Sequence, residues 1–236
     1  MTTSGGTPPR VAVVSGAASG IGAAVAAELS DRGWRVAGLD LSPSGWDLGL
    51  VVDLADTGAV ADAVHRVEED LGPVSAVVSA AGHYAMVPVD EIGLTAWTRM
   101  LRVHLGGLLN LSRAVLPGMA ARGTGDIVAI TSELAIGGGD GDAHYAAAKG
   151  AVIGFVRSLA AEAAASGVRV NAVAPGPTDT PMLPDDSPWR DPAYLSTLPL
   201  RRLAAPEEIA LTVAFLLEQG TFCFGEVISP NSGAVI

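Results

Sequence analysis

Short runs of β-branched and apolar residues alternate with longer stretches rich in alanine and leucine, and this alternation restricts the fold most. The short runs predict strands, and the longer stretches predict helices. The predicted strands are 11–15, 35–40, 76–79, 126–131 and 169–174, and the predicted helices are 21–32, 57–71, 96–121, 143–165 and 206–218. Because strands joined by crossover helices run parallel, we predict an α/β fold: a doubly wound parallel sheet with helices on both faces. Such sheets bind ligands beyond the carboxyl ends of their strands.

The length and composition predict a single domain. The chain has 236 residues without an internal repeat, so we assign residues 11–236 to one domain and the Gly/Ser/Pro-rich residues 1–10 to a flexible tail. Hydrophobic residues make up 49% and charged residues 17%, which is enough apolar material for a buried core. The sequence has no secretory signal pattern and no apolar run of about 18 residues, which predicts a cytoplasmic protein without membrane spans.

The charge and the cysteine content exclude several classes of function. A formal net charge of −11 repels phosphate backbones and anionic lipids, so we expect neither a nucleic-acid partner nor a membrane partner. The single cysteine, Cys223, has no second cysteine for a disulfide or a metal cluster. We therefore expect no metal, and a reducing compartment agrees with this use of cysteine.

A glycine-rich turn follows the first predicted strand and opens the first predicted helix. Its residues are Gly16, Ser19, Gly20, Ile21 and Gly22. Glycine permits a tight turn and lets backbone N–H groups approach a pyrophosphate at a helix N-terminus, where the helix dipole favours negative charge. A glycine cluster alone also occurs in plain connectors, but the strand–turn–helix context predicts dinucleotide binding.

An acid at the end of the second strand points to the kind of dinucleotide. Asp40 lies about 20 residues after the glycines, where a carboxylate accepts hydrogen bonds from the adenosine ribose hydroxyls. Neither Ser19 nor Leu41 supplies the positive charge that a 2′-phosphate requires, so we predict NAD rather than NADP. A solvated acid at a strand end is the alternative for Asp40. Asp53 and Leu54 are predicted to border the adenine, although Asp53 is equally suited to cap a helix.

A tyrosine and a lysine on one predicted helix form the candidate catalytic pair. Tyr145 and Lys149 are four residues apart and therefore share a face of the helix. A phenol with a pKa of about 10 exchanges protons poorly at neutral pH unless a cation stabilises its phenolate, which we assign to Lys149. Lys149 is the only lysine among 14 basic residues, which distinguishes this pair from an ordinary surface pair. Ser132, just past a strand end, is expected to hold the substrate oxygen.

Together these residues resemble the short-chain dehydrogenase/reductase family, whose fold is Rossmann-like, from about Val11 to the C-terminal helix. The glycine turn is similar to the family's cofactor turn, with Ser15 in place of a threonine. Ser132, Tyr145 and Lys149 match the family's catalytic serine, tyrosine and lysine. The resemblance implies that Lys149 also binds the nicotinamide ribose and that Tyr145 touches the cofactor. It further implies that the helices around 100–120 and 145–165 pack into a homodimer or homotetramer.

Further cofactor contacts are implied by the same resemblance. Pro175 and Gly176, with the Thr178 backbone and the Thr180 hydroxyl, match the stretch that closes over the nicotinamide. Where the family has Asn-Asn-Ala-Gly, this chain has Ser79 followed by three residues whose backbone contacts to the cofactor should survive. These are Ala80, Ala81 and Gly82. The lost amide side chains are expected to weaken hydrogen bonding at this end of the sheet.

The departure that bears most on catalysis is His104, which occupies the position of the asparagine in the family's catalytic tetrad. In the family, that asparagine supports a water linked to the lysine through its main-chain carbonyl. A histidine preserves this link if it presents the same carbonyl, so we count His104 among the candidate catalytic residues. The alternative is a helix histidine without a chemical role. Asn110 lies too far along the helix to replace it.

Flanking residues and one irregular segment are expected to form the substrate pocket. The flanking residues are His83, Tyr84, Glu133 and His144, for which plain packing is the alternative. The segment of about 181–200, with Met182, Trp189 and Tyr194, is expected to be a substrate lid rather than a surface loop. The aromatic residues and the lack of an arginine cluster favour a neutral alcohol or ketone.

The sequence therefore predicts an oxidoreductase that transfers a hydride between NAD(H) and a secondary alcohol or ketone. Two alternatives stay open. Reductases of 3-oxoacyl thioesters share the same motifs, although Asp40 argues against one because biosynthetic reductions commonly use NADP. An NAD-binding regulator without turnover is the second alternative, and His104 gives it some support.

Overall fold

The computed structural model describes residues 9–235, and these form one parallel seven-stranded sheet with the order β3-β2-β1-β4-β5-β6-β7. The strands are β1 Val11–Ser15, β2 Arg35–Asp40, β3 Leu48–Val51, β4 Val74–Ser79, β5 Gly125–Ile130, β6 Val168–Val173 and β7 Val227–Ile228. The predicted doubly wound α/β fold is confirmed. The strand order reverses between β1 and β4, and a sheet of this kind has its binding crevice at that point.

Helices cover both faces of the sheet. They are α1 Gly20–Asp31, α2 Thr57–Asp70, α3 Leu94–Leu101, α4 Gly107–Arg122, α5 Leu134–Gly137, α6 Ala143–Ala163, α7 Pro192–Thr197 and α8 Pro206–Glu218. The core on one face contains side chains of α2, α4 and α6, and the core on the other contains side chains of α1 and α8. The central strands are therefore buried on both sides, which explains their continuous apolar runs.

The structure differs from the sequence prediction at the sheet edges. Strands β3 and β7 were not predicted, because β3 alternates between half-buried and exposed residues and β7 has only two residues. Neither gives the apolar run that marks a fully buried strand.

The helix predicted at 96–121 is interrupted by a π-helical turn at Arg102–Gly106, between α3 and α4. Such turns inside α-helices frequently mark functional sites. This one carries His104.

Most of the predicted tail lies outside the described residues. Its last residue, Arg10, pairs with Glu218 at 2.9 Å and stacks over the Trp34 ring at 4.3 Å. Arg10 is therefore packed against the domain. Among residues 9–235, no helix is both long and apolar enough to cross a membrane.

Candidate active site

A cavity of about 310 Å³ opens at the carboxyl ends of the central strands. Every residue that the sequence predicted for catalysis or cofactor binding borders it. These residues are Gly16, Ser19, Gly20, Ile21, Gly22, Asp40, Leu41, Asp53, Leu54, Ala80, Ala81, Gly82, His104, Ser132, Tyr145, Lys149, Pro175, Gly176, Thr178 and Thr180. Residues far apart in sequence thus meet in one crevice.

The glycine turn lines one end of the cavity. Gly16 and Gly20 have φ angles of +70° and +55°, which side chains other than glycine's rarely adopt. A Cβ on Gly16 would also come within 2.9 Å of the Ala81 main chain. Helix α1 begins at Gly20, and its N-cap residue Ser19 makes no side-chain capping bond. The uncapped N–H groups at this positive helix end are suited to an anionic pyrophosphate.

The Ser15 hydroxyl ties the glycine turn to the end of β4. It accepts hydrogen bonds from the N–H groups of Ala80 at 3.0 Å and Ala81 at 3.2 Å, and it donates to the Val78 carbonyl at 3.5 Å. Bonds across this end of the sheet are therefore present although asparagine side chains are missing there. Ser15 supplies these bonds through its hydroxyl, a role that its position before the glycine turn does not predict.

Asp40 borders the cavity and also holds the turn. Its carboxylate accepts one hydrogen bond from the Ala18 N–H and one from the Ser42 N–H, both at 3.0 Å. A carboxylate has about four acceptor positions, so capacity for ribose hydroxyls remains. Among the cavity-lining residues in the described chain, Lys149 is the only lysine or arginine.

Asp53 does not cap a helix, which corrects one of its two predicted roles. Its carboxylate accepts the Ala55 N–H at 2.9 Å within a turn. The N-cap of α2 is Asp56, which accepts from the N–H groups of Gly58 and Ala59. Helix α2 is capped three residues further along the chain, so Asp53 lies before the cap, and it borders the cavity.

Tyr145 and Lys149 lie on the buried face of α6, as their spacing predicts. The Lys149 ammonium donates to the Ile130 carbonyl at 2.8 Å and lies 5.7 Å from the Tyr145 ring centroid. The Thr131 hydroxyl donates to the Lys149 carbonyl at 2.8 Å and anchors the helix backbone to the end of β5. This anchoring role of Thr131 was not found from the sequence, since no spacing rule connects it with Lys149.

Burial controls the pKa values of the pair. Loss of hydration lowers the pKa of Lys149 to about 7, which brings the titration of this amine close to neutral pH. Burial and the nearby Glu133 carboxylate raise the pKa of Tyr145, whereas the Ser132 hydroxyl lowers it. The phenol is thus a proton donor in this protein, and Lys149 is not among the main groups that shift the pKa of Tyr145, contrary to the expectation from the sequence.

The Ser132 hydroxyl lies between Tyr145 and a buried carboxylate. It donates to Glu133 Oε2 at 2.9 Å and accepts from the Leu134 N–H at 3.2 Å. Burial raises the pKa of Glu133 to about 7. Glu133 therefore titrates near neutral pH in direct contact with the candidate oxygen-binding serine.

His104 packs beside the candidate catalytic tyrosine. Its Nε2 lies 2.9 Å from the His83 carbonyl, and its ring meets Tyr145 edge-on at 5.5 Å between centroids. A Cβ on Gly82 would collide with this ring, so the glycine at 82 makes room for the imidazole. Burial and the neighbouring Lys149 lower the pKa of His104 to about 2, which keeps the ring neutral.

We expect His104→Asn to keep most of its activity. The π-helical turn that presents the main chain at residue 104 is compatible with asparagine, and a neutral imidazole carries no charge to lose. The measurement is steady-state kcat with a saturating ketone. A loss of more than about a hundredfold, or roughly 2.7 kcal/mol of barrier, would show that the imidazole itself is required.

Asn110 does not take the place of His104. Its amide donates to the Leu54 carbonyl at 2.8 Å, and its oxygen accepts from the Thr57 hydroxyl at 3.0 Å. It therefore links α4 to the start of α2 and fixes Leu54 at the cavity edge. The sequence prediction that Asn110 lies too far along is confirmed.

Two of the four flanking residues line the cavity. Tyr84 and Glu133 border it, whereas His83 and His144 do not. The reason is that His83 faces the His104 ring at 5.4 Å, and the His144 side chain is enclosed in the core.

The segment predicted as a lid contacts the pocket through a short hydrogen-bond chain. Trp189 Nε1 donates to the Tyr84 hydroxyl at 3.0 Å, and that hydroxyl donates to Asp142 Oδ1 at 2.7 Å. The ring of Tyr84 also meets Tyr145 edge-on at 5.1 Å. Asp142 was not predicted, because it lies in a glycine-rich stretch without a sequence signal that connects it with Tyr84.

Comparisons with known proteins identify relatives of this chain. A family model described as enoyl-(acyl carrier protein) reductase matches residues 16–234. The chain is 35% identical to cis-4-hydroxycyclohexanecarboxylate dehydrogenase of Sinomonas cyclohexanicum, over 95% of this chain and 96% of the relative. It is 37% identical to an acetoacetyl-CoA reductase of Synechocystis, over 96% of both chains. It is 34% identical to a 3-oxoacyl-(acyl-carrier-protein) reductase of Vibrio cholerae, over 95% and 96%.

Proposed function

Because the chain belongs to the short-chain dehydrogenase/reductase family of oxidoreductases, we propose that it interconverts a neutral secondary alcohol and its ketone with NAD(H). The observation that carries the proposal is the convergence of the uncapped α1 turn, Asp40, Ser132, Tyr145 and Lys149 on one cavity. The relatives are dehydrogenases and reductases, so the protein is an enzyme rather than a regulator without turnover.

The residues at one end of the cavity fit a nicotinamide dinucleotide. The glycine turn would hold the pyrophosphate, and Asp40 would accept hydrogen bonds from the adenosine ribose. Asp53 and Leu54 would border the adenine, Lys149 would bind the nicotinamide ribose, and the residues from Pro175 to Thr180 would cover the nicotinamide. When bound, the cofactor supplies the hydride acceptor for alcohol oxidation and the hydride donor for ketone reduction.

The chain's own residues handle the substrate oxygen and its proton. In the reducing direction, one ketone, one NADH and one proton give one alcohol and one NAD. Tyr145 donates its phenolic proton to the carbonyl oxygen while the Ser132 hydroxyl holds that oxygen in place. This donation leaves a phenolate on Tyr145, and the protonated form of Lys149 stabilises it. In the oxidising direction, Tyr145 removes the hydroxyl proton.

We expect kcat/KM with NADH to exceed that with NADPH by at least about tenfold, or roughly 1.4 kcal/mol. The Asp40 carboxylate would lie beside a 2′-phosphate, and no lysine or arginine from the described residues lines that end of the cavity to offset the repulsion. The test compares both cofactors with wild-type protein and with Asp40→Asn, which removes the charge. A preference for NADPH in the wild type would overturn the cofactor assignment.

Reduction of a 3-oxoacyl thioester is the second candidate function, and the names of two relatives favour it. Against it stands Asp40 at the cavity, because biosynthetic reductions commonly use NADP and this carboxylate would repel a 2′-phosphate. A panel of cyclic ketones, small aliphatic ketones and acetoacetyl-CoA, each assayed with NADH and NADPH, separates the candidates. Turnover of ketones with NADH supports the main proposal, and turnover of acetoacetyl-CoA alone supports the second.

Three further features belong to this proposal. The segment 181–200 acts as the substrate lid, since Met182 and Trp189 border the cavity. The subunits assemble as a homodimer or homotetramer through α4 and α6, as the family resemblance implies. A cytoplasmic location agrees with the single cysteine and with the use of NAD(H).

A further inference from the structure

The Ser132 hydroxyl has one hydrogen and more than one acceptor for it. A serine hydroxyl donates one hydrogen bond and accepts up to two. In the structure its hydrogen goes to Glu133 Oε2 at 2.9 Å, and the Leu134 N–H occupies one acceptor position at 3.2 Å. The function proposed above requires the same hydrogen to point toward the substrate oxygen. Glu133 therefore competes with the substrate for the hydrogen of Ser132.

We propose that Glu133 is a positioning residue whose protonation state decides whether the Ser132 hydrogen points toward the substrate oxygen or away from it. The proposal rests on the proposed function, because Ser132 is there the group that holds the substrate oxygen.

With Glu133 ionised, the carboxylate can only accept, so Ser132 donates to it. A ketone in the cavity then loses one of its two donors and keeps only Tyr145. An alcohol meets a second acceptor that draws its proton away from Tyr145.

With Glu133 protonated, the carboxylic acid donates to Ser132 Oγ. Ser132 then accepts from Glu133 and from the Leu134 N–H, and its own hydrogen, no longer held by Glu133, can turn to the substrate oxygen beside the Tyr145 phenol. This arrangement satisfies every donor and acceptor of the hydroxyl. It presents the substrate with two donors, Ser132 and Tyr145, which is the arrangement that ketone reduction needs.

The surroundings of Glu133 support a change of protonation near neutral pH. Burial raises the pKa of this carboxyl to about 7, with a smaller rise from the Asp142 carboxylate, although the hydrogen bonds from Ser132 and from the main chain at 133 and 134 lower it. The phenols of Tyr84, Tyr145 and Tyr194 face it from the loop after β4, from α6 and from α7. All three are neutral at pH 7, since an ordinary phenol has a pKa of about 10 and burial raises the pKa of each of these. Lys149 also titrates near pH 7, so the test must separate it from Glu133.

The first test is the pH profile of ketone reduction at saturating NADH. We expect wild-type kcat to fall by about tenfold between about pH 6 and about pH 8.5, as Glu133 loses its proton. Glu133→Gln keeps the shape of the side chain, and its amide can donate to Ser132 at every pH, so its profile should lose the part of the fall that Glu133 causes and keep only the smaller part that is due to Lys149. A Glu133→Gln profile that falls like the wild type's would assign the titration to Lys149 and overturn the proposal.

The matched control is Asp142→Asn. It removes a buried carboxylate that also raises the pKa of Tyr145, but this carboxylate bonds Tyr84 rather than Ser132. We expect Asp142→Asn to keep the fall in kcat, because the Ser132 hydrogen still has Glu133 as its competing acceptor, but the midpoint should move to lower pH because the Asp142 carboxylate raises the pKa of Glu133. Loss of the fall in Asp142→Asn would mean that general charge near Tyr145, and not the hydrogen of Ser132, causes it.

A second measurement needs no turnover and therefore separates failure of this proposal from failure of the proposed function. Infrared difference spectra should show a protonated carboxyl band that disappears as the pH rises through about 7 and is missing in Glu133→Gln. In Ser132→Ala the band should shift, because the carboxyl loses its hydrogen-bond partner. A wild-type protein that reduces no ketone refutes the proposed function. The role of Glu133 is refuted if the wild type shows no such band, or if the band has the same position in Ser132→Ala as in the wild type.

Discussion

Replacing Tyr145 with phenylalanine is expected to lower kcat by about a thousandfold or more while NADH binding is kept, since positioned acid–base groups contribute about 10²–10⁴. Phenylalanine has the same ring and retains the edge-on contacts with Tyr84 and His104, so the fold around α6 should not change. Only the hydroxyl that exchanges the proton is lost. Steady-state kinetics with the most reactive ketone and a fluorescence titration with NADH measure the two quantities.

The matched control for this prediction is Tyr194→Phe. Tyr194 contacts Trp189 at 4.9 Å between ring centroids but does not border the cavity, so loss of its hydroxyl should change kcat less than about threefold, or roughly 0.7 kcal/mol. A Tyr145→Phe protein with near wild-type kcat would show that another group exchanges the proton. Loss of NADH binding in Tyr145→Phe would mean that the variant damages the cofactor site instead.

Replacing Lys149 with methionine is expected to abolish most activity and at the same time to stabilise the folded protein. The lysine is buried, and burial lowers its pKa from 10.5 to about 7, which costs folding free energy at about 1.4 kcal/mol per pKa unit. Methionine has a similar length and no charge to desolvate. It leaves the Ile130 carbonyl without its donor, a cost of about 1–3 kcal/mol, so we expect a net gain of about 2 kcal/mol near pH 7.

The stability gain of Lys149→Met depends on pH, because the pKa of Lys149 is lower in the folded protein than in the unfolded chain. Because the folded-state pKa is lower than the unfolded one, the unfolded chain binds more protons between pH 7 and pH 10.5. The wild-type free energy of unfolding therefore rises with pH across this window, and the advantage of Lys149→Met is largest at or below pH 7. Urea unfolding of both proteins at about pH 6.5, 8 and 9.5 measures it.

Arg66→Met is the control for this experiment, since it removes a cation from an exposed position on α2, outside the helices proposed to join the subunits. Its free energy of unfolding should stay within about 0.5 kcal/mol of the wild type's at each pH. A Lys149→Met protein that is less stable than the wild type at pH 7 would mean that the amine is not desolvated as the geometry requires. The stability cost of Lys149 is what we expect of a residue kept for function.

The sequence was sufficient for the parts of the fold and site that depend on local spacing. The turn at Gly16–Gly22 follows β1 directly, and the spacing of Tyr145 and Lys149 puts both on one face of a helix. Alternation of strands and helices defined the parallel sheet, and such sheets bring the ends of their strands together. The cavity residues could therefore be named before their positions were known.

Features that depend on tertiary contacts could not be predicted in this way. The competition for the Ser132 hydrogen depends on how deeply Glu133 is buried, which the sequence does not encode locally. The chain from Trp189 through Tyr84 to Asp142 joins three segments that are far apart in sequence. The π-helical turn around His104 also gave no signal, because its residues continue an ordinary helical pattern.

Deuterium transfer from labelled NADH tests the central claim most directly. NADH that carries deuterium at the transferable positions of its nicotinamide ring is incubated with the ketone panel, and the products are examined by mass spectrometry and NMR. We predict an alcohol with one deuterium on the former carbonyl carbon for the wild type, and about a thousandth of that yield for Tyr145→Phe. NADH binding without any deuterated alcohol, or equal yields from both proteins, would contradict the account.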